Sequence, residues 1–468
     1  GAQRALGVAA MAATLAGAVG LVDRVRLGGP AAVQVGGWAA PFGITLVADL
    51  FAAIMVALAA AMVLIVLLYA IGHPRTRDQA RFFHPVYLIL AAGVSASFLA
   101  GDLFNLFVAF EVMLTASYVL LTLEGGPEQV RGGMTYVVTS LLASTLFITA
   151  VALVYAATGT LNMADLAGRL GLIDPALRAA LGLLLLVVFG VKAAIFPLFF
   201  WLPDAYPTAV SPITAVFAGL LTKVGVYAII RTQTLLFAPA QAGPSALLLA
   251  IAGATMVIGI LGAIVQEDLK RIFSFNLVSH IGFMVMGLGF LTVAGLAAAI
   301  YYIVHHVIVK TSLFLVGGII EQTTGTGALH RLRGSLRRSP ATAALFAIPA
   351  LSLAGLPPFS GFVGKLALVQ AGLAADRAGI VGVSLAVSLL TLLSMSKIWT
   401  GVFWGDPGEI DPDDEAQRSA PRPMVGATAV LVAASIVVGL GAGPLYDLCI
   451  EAAEQLTPRG YVEAVFGP

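Results

Sequence analysis

Glu111 stands in LAGDLFNLFVAFEVMLTASYVLLTL (99–123), where the stretch Phe104 to Leu123 is about as long as a bilayer core is thick, so its carboxylate sits near mid-depth. Lys192, Lys223, Lys310, Lys365 and Lys397 also fall inside apolar runs, as do His280, His305 and His306. An ionisable group at membrane depth costs at least a few kcal/mol on insertion scales, and such groups usually mark an ion or proton route. His306 and Lys310 are four residues apart and share one helix face, the spacing of a relay. Pro197 follows Lys192, and Pro357 and Pro358 precede Lys365, so each of these two lysines lies beside a broken helix. Broken helices at this depth are tolerated where they line a cavity. Carboxylate, ammonium and imidazole together can hold and release protons, and a potential of 100 mV shifts each charge by about 2.3 kcal/mol.

Each group also has a plainer reading. Glu111 can be a packing carboxylate kept neutral by a proton, Lys223 a lysine paired for structure, and His280 a hydrogen-bonded core histidine. Lys397, close to Trp399 and Trp404, is read as snorkelling to the interface. Asp49 is a weaker candidate, Asp102 has no assigned partner, and Asp204 in WLPDAYP is expected to serve the helix break or a cap.

The elements that must position these groups follow from composition. The chain is 59% hydrophobic and 10% charged, with a mean hydropathy of +0.99, whereas a soluble domain carries about 25% charged residues. It is therefore an all-α polytopic membrane protein. Apolar runs of spanning length fall at about 5–23, 45–71, 84–100, 104–123, 132–157, 178–202, 208–236, 245–264, 272–293, 296–321, 341–374, 378–404 and 424–446. Alternating the connections puts Arg4, Arg75, Arg77, Arg81, Arg131, Lys270, Arg271, Arg331, Arg333, Arg337, Arg338, Arg418 and Arg422 on one side. The other holds Arg24, Arg26, Arg169, Arg178, Arg231, Arg377 and Arg459, which makes the first side cytoplasmic. The acidic stretch Gly405 to Pro423 falls there as a solvated connection. Because the chain opens on Gly1 with Arg4 just ahead of the first run, one further helix is expected to precede it.

Several function classes are excluded. A single cysteine, Cys449, rules out a disulfide framework and a cysteine-held metal or iron–sulfur centre within the chain. GFVGKL (361–366) lacks the first glycine and the Ser/Thr of a phosphate-binding loop, so no nucleotide site is visible. A net charge of +1 without a basic patch gives no reason to expect nucleic acid. No cofactor is expected, and nothing performs covalent or redox chemistry.

GDLFNLFVAFEVMLTASYVLL (101–121), GVKAAIFPLFFWLPDAYP (190–207), TKVGVYAIIR (222–231), EDLKRIFSFNLVSHIGFM (267–284), YYIVHHVIVKTSLFLVGG (301–318) and GLPPFSGFVGK (355–365) together resemble the D subunit of the multisubunit Mrp-type cation/proton antiporters. Related subunits occur in NADH:quinone oxidoreductase and membrane-bound hydrogenases. The resemblance implies an antiporter-like fold of fourteen helices with the seventh and twelfth discontinuous, as at the two proline breaks. It divides the chain into N-terminal helices 1–83, inverted five-helix repeats at 84–236 and 245–404, and a loop, final helix and tail over 405–468. Residue by residue it implies Glu111 and Lys192 as a coupling pair, Lys223 as the central lysine, His306 and Lys310 as an eleventh-helix relay and Lys365 as the exit-side group. His280 and His305 stand beside that relay. The implied setting is a bacterial inner-membrane hetero-oligomer with other Mrp subunits as partners, exchanging sodium for protons. The alternative is a proton-pumping subunit of a redox complex.

Overall fold

Runs of about twenty apolar residues can satisfy their backbone only as helices in hydrocarbon, and the chain resolves into a bundle built almost wholly of them. The computed structural model describes residues 2–74, 77–237, 243–332, 334–405 and 420–467. Arg75, Arg333, Arg418 and the acidic stretch 406–419 lie outside the described residues, as do the side chains of Arg77, Arg81 and Arg338.

In chain order, α1 (Ala2–Gly28) leads to a short antiparallel hairpin, β1 (Ala31–Gln34) with β2 (Thr45–Ala48), in which Ala31 faces Ala48. Then come α2 (Leu50–Gly72), α3 (Arg77–Leu99), α4 (Leu103–Leu121), α5 (Pro127–Thr158), the short α6 (Met163–Arg169) and α7 (Pro175–Ala193). After a break follow α8 (Trp201–Ala205), α9 (Ser211–Val216) and α10 (Thr222–Arg231), the last two joined by a wide π turn over Phe217–Leu221 and followed by another over Thr232–Leu236. The second half holds α11 (Gly243–Val265), α12 (Leu269–Gly289), α13 (Val293–Thr324), the single turn α14 (Ser335–Arg338), α15 (Pro340–Ala354), α16 (Ser360–Ala374) and α17 (Ala378–Val402). The chain closes with α18 (Arg422–Leu440), α19 (Ala442–Glu454) and α20 (Pro458–Phe466).

Among the described residues, twelve helices are long and apolar enough to cross a membrane. The one remaining expected run, 341–374, is divided into α15 and α16 of fifteen residues each, about 22 Å apiece and too short to cross alone. The run expected at 45–71 begins later as a helix, because Thr45–Ala48 pairs in the hairpin and Asp49 accepts from the amide of Ala52 as the N-cap of α2. Asp102 caps α4 in the same way.

Burial separates an outer ring from an inner set. In α1 only 17% of the most apolar window is buried, whereas over Ser211–Leu236 and Val293–Thr324 the share is 100%. The central rod α13 packs against α12, α15, α16, α18, α19 and α9. Gly225 lets α10 approach α7, since a Cβ there would lie 2.6 Å from the amide nitrogen of Ala193, next to Lys192.

Candidate functional site

The first cluster is assembled by α4, α5 and α7. Glu111 projects from α4, and Ser140 and Ser144, one turn apart on α5, lie between that helix and α7. Ser144 Oγ donates to Glu111 Oε1 at 2.5 Å and accepts from Lys192 Nζ at 3.0 Å. Lys192 also donates to the carbonyl of Ser140 at 3.3 Å and lies over the Phe110 ring. Glu111 and Lys192 are therefore joined through a hydroxyl rather than in direct contact. Lys192 sits in the last turn of α7, which Ala194 ends in a left-handed conformation before the segment containing Pro197. A cavity of about 10 Å³, the scale of one water, lies beside Lys192 and is lined by Tyr136, Trp201, Tyr206 and Leu221.

Lys223 is fully buried on α10, as its place deep in an apolar run required. Its ammonium donates to the carbonyl of Ala218 at 2.5 Å and to Thr222 Oγ1 at 3.3 Å. Ala218 belongs to the π turn before α10, a wide turn of the kind often found at functional sites.

Around α13 His306, His280, Tyr302, His305, Ser360 and Lys365 form an aromatic and polar row, and Lys310 lies apart from it on the same helix. Lys310 Nζ has no hydrogen-bond partner and lies over Phe273 and Phe314, 5.6 and 6.0 Å from their centroids. The His306 ring is 5.4 Å from that of His280, and neither His306 nitrogen has a hydrogen-bond partner. His280 Nδ1 meets Tyr302 OH at 2.5 Å. The Tyr302 ring is 5.4 Å from His305, whose Nδ1 bonds Ser360 Oγ at 2.8 Å, and Ser360 meets Ser352 at 3.1 Å. Lys365 donates across the helix break to the carbonyl of Ala354 at 2.9 Å and lies over Phe283, whose ring stacks on both Tyr302 and His280. A Cβ on Gly361 would overlap the carbonyl of Ser352, so this close meeting of α15 and α16 requires glycine.

Two expectations are corrected by burial. Arg231, counted with the connections, is 3% exposed and grips Asp49 with both terminal nitrogens, at 2.5 and 2.8 Å. Asp49 is thus a cap and an ion-pair partner, and Tyr227 and Tyr461 flank the guanidinium. Lys270, also counted with the connections, is 8% exposed and pairs with Glu321 at 2.8 Å. Asp204 lies on α8, within the break after α7, where it caps no helix and meets Arg271 at 3.3 Å on the surface. Lys397 donates to the carbonyls of Ile264 and Gln266 at the C-terminal end of α11. Near Asp49, just outside α4, burial pushes the Asp102 carboxyl up to about 6, against the lowering effect of bonds from backbone amides.

Ser144, Tyr302 and Ser360 were missed from sequence. Ser140 and Ser144 at helical spacing in an apolar run were a faint signal, and Tyr302 lies four residues before His306 on one face. No local pattern marks Ser360.

A multi-pass bundle with two interrupted helices and several buried lysines and histidines defines a membrane transporter component of antiporter-like build. The family model for "NADH:quinone oxidoreductase/Mrp antiporter, TM" matches residues 100–391, and the chain belongs to that family. It is 44% identical over 465 residues to the D subunit of the Na(+)/H(+) antiporter of Alkalihalophilus pseudofirmus, covering 99% of this chain and 94% of that one. Its fold matches a chain of the Mrp complex from Dietzia sp. DQ12-45-1b with a TM-score of 0.93 at 34% identity, covering 99% and 94% of the two chains. It also matches a chain of the membrane-bound sulfane sulfur reductase, an archaeal respiratory membrane complex, with a TM-score of 0.91 at 27% identity and the same coverage.

Proposed function

We propose that this chain is the proton-translocating subunit of a multisubunit antiporter that exchanges protons for a monovalent cation, sodium by likeness to the Alkalihalophilus antiporter. The observation that carries this reading is the Ser144 bridge. Lys192 gives a proton to Ser144 Oγ as Ser144 gives its own to Glu111, so a lysine ammonium and a carboxylate become an amine and a carboxylic acid while the serine is restored. Two opposite charges are made or removed together, which keeps the low-dielectric interior neutral at each hop.

From Lys192 the route continues to Lys223, then to Lys310 and His306, with His280 and His305 beside it, and leaves at Lys365. Protonating all of these bases at once would gather like charges without a carboxylate among them, so a proton arriving at one end favours release at the other. We read 84–236 and 245–404 as the two inverted repeats that carry the two ends of this route, and other Mrp subunits as the partners that complete the machine. The bacterial inner membrane is its setting.

The test is sodium-driven proton movement in everted vesicles carrying the whole complex, comparing the intact chain with Lys223→Ala at matched assembly. Loss of exchange is expected. Undiminished exchange would make the chain a scaffold, with flux elsewhere. The likeness to a respiratory complex favours a second reading, a pump driven by redox chemistry in other chains. Flavin, iron–sulfur or nickel in the purified complex would select it.

A further inference from the structure

Where α15 gives way to α16, the side chains of Ser352, Ser360 and His305 and the amide of Gly361 form a single hydrogen-bonded chain. The Gly361 amide, one of the free amides at the start of α16, donates to Ser352 Oγ at 3.3 Å across the break. Ser352 Oγ meets Ser360 Oγ at 3.1 Å, and Ser360 Oγ meets His305 Nδ1 on α13 at 2.8 Å. All three side chains are fully buried, and His305 Nε2 has no hydrogen-bond partner among the described residues. Two residues after Ser352, the carbonyl of Ala354 accepts from Lys365 Nζ. The stem of that lysine passes so close to Gly355 that a Cβ there would lie 2.7 Å from its Cδ.

An amide can only donate, so the direction of this chain is set at its other end. With the neutral ring carrying its proton on Nε2, Ser360 donates to Nδ1, Ser352 donates to Ser360 and Gly361 donates to Ser352, so the chain runs head to tail. A second proton on the ring makes Nδ1 a donor and turns Ser360 round to donate to Ser352. The Ser352 hydroxyl then has no acceptor, since among the described residues its oxygen bonds only Ser360 and Gly361. A buried donor without an acceptor is costly to keep, and drawing α15 away from α16 so that water enters relieves it. The new charge pushes the same way, because Lys365 is a cation within electrostatic reach of His305.

We propose that Ser352 and Ser360 latch the break between α15 and α16 to His305, so that a proton on that ring frees Lys365 from the carbonyl of Ala354. Ser360 is thus a positioning residue that acts through His305 and the break. The latch rests on the reading of Lys365 as the exit group and adds what controls it. The other titratable groups around the ring are His280 on α12, Tyr302 and His306 on α13 and Lys365 on α16. One turn away Tyr446 and Cys449 of α19 face Tyr301, whereas α9 and α15 contain no titratable residue and α18 only Arg422 at its exposed start.

Leu356→Cys places a half-buried thiol in the break, the native Cys449 being fully buried. In the assembled complex a membrane-permeant maleimide should label it, relative to free glutathione at the same pH, about tenfold faster for each unit of acidification while the protonated ring is the minor form. Adding Ser360→Ala or Ser352→Ala should flatten that rise, His305→Gln should abolish it, and Ser360→Thr, which keeps the hydroxyl, should retain it. No rise in the Leu356→Cys parent, or the same rise with Ser360→Ala, would overturn the latch. So would a rise that survives His305→Gln and therefore belongs to His280, His306 or Lys365, or one that Ser360→Thr removes as fully as Ser360→Ala. Labelling needs no turnover, so exchange by the Lys223→Ala complex separates the latch from the relay. A pH-dependent break together with undiminished exchange in Lys223→Ala removes the relay and keeps the latch, whereas lost exchange with flat labelling does the reverse.

Discussion

The Asp49–Arg231 and Glu111–Lys192 pairs of the bundle differ in one respect that decides what each can do. Asp49 and Arg231 meet directly through two hydrogen bonds with aromatic rings on both sides of the guanidinium. Glu111 and Lys192 are held apart by the hydroxyl of Ser144. Arginine keeps its proton throughout the physiological range, and its planar fork matches a carboxylate, so the first pair is locked. Lysine can lose a proton, and a hydroxyl both donates and accepts, so the second pair has a path along which charge can vanish and return. Contact stabilises structure; separation by one hydroxyl permits transfer.

The contrast is broken most forcefully at the locked pair. Asp49→Asn leaves Arg231 buried without its anion and should cost about 3–5 kcal/mol, read as a fall in thermal stability or loss of the assembled complex. An unchanged melting temperature would mean that the pair is not structural. At the bridged pair the expectation is reversed: Glu111→Gln should leave the protein inserted and folded while exchange falls about a hundredfold, the scale of a removed proton-transfer group. Stability loss matching that of Asp49→Asn would erase the distinction between the two pairs. The smallest effect belongs to Ser144→Ala, which removes one hydroxyl, should cost about 1 kcal/mol of stability and should slow exchange about fivefold. Exchange at the parental rate would show that the bridge carries no protons.

Much of the fold was legible because hydrocarbon leaves so few options. Runs of twenty apolar residues announced the spans, and Pro197, Pro357 and Pro358 announced the interruptions. The lysines and histidines stood out by type alone. Partnership was hidden: Arg231 finds Asp49 across 182 residues, and its position near the end of an apolar run resembles a flanking charge. Ser144 was invisible for another reason, since serine is ordinary in membrane helices and becomes notable only when the space on either side of it is filled. The same holds for Ala218, whose carbonyl reaches Lys223 from a π turn that nothing in its sequence announces.

The rod α13 has one more consequence, for the variation this chain can tolerate. Its thirty-two residues carry Tyr302, His305, His306, Lys310 and Glu321 in a fixed rotational order, with its most apolar window wholly enclosed by neighbouring helices. One residue inserted anywhere along it would turn every later side chain by about 100° and advance it about 1.5 Å. Substitutions can be absorbed locally, but a change of length sends an error through every helix packed on the rod, so relatives should differ here in letters and not in number.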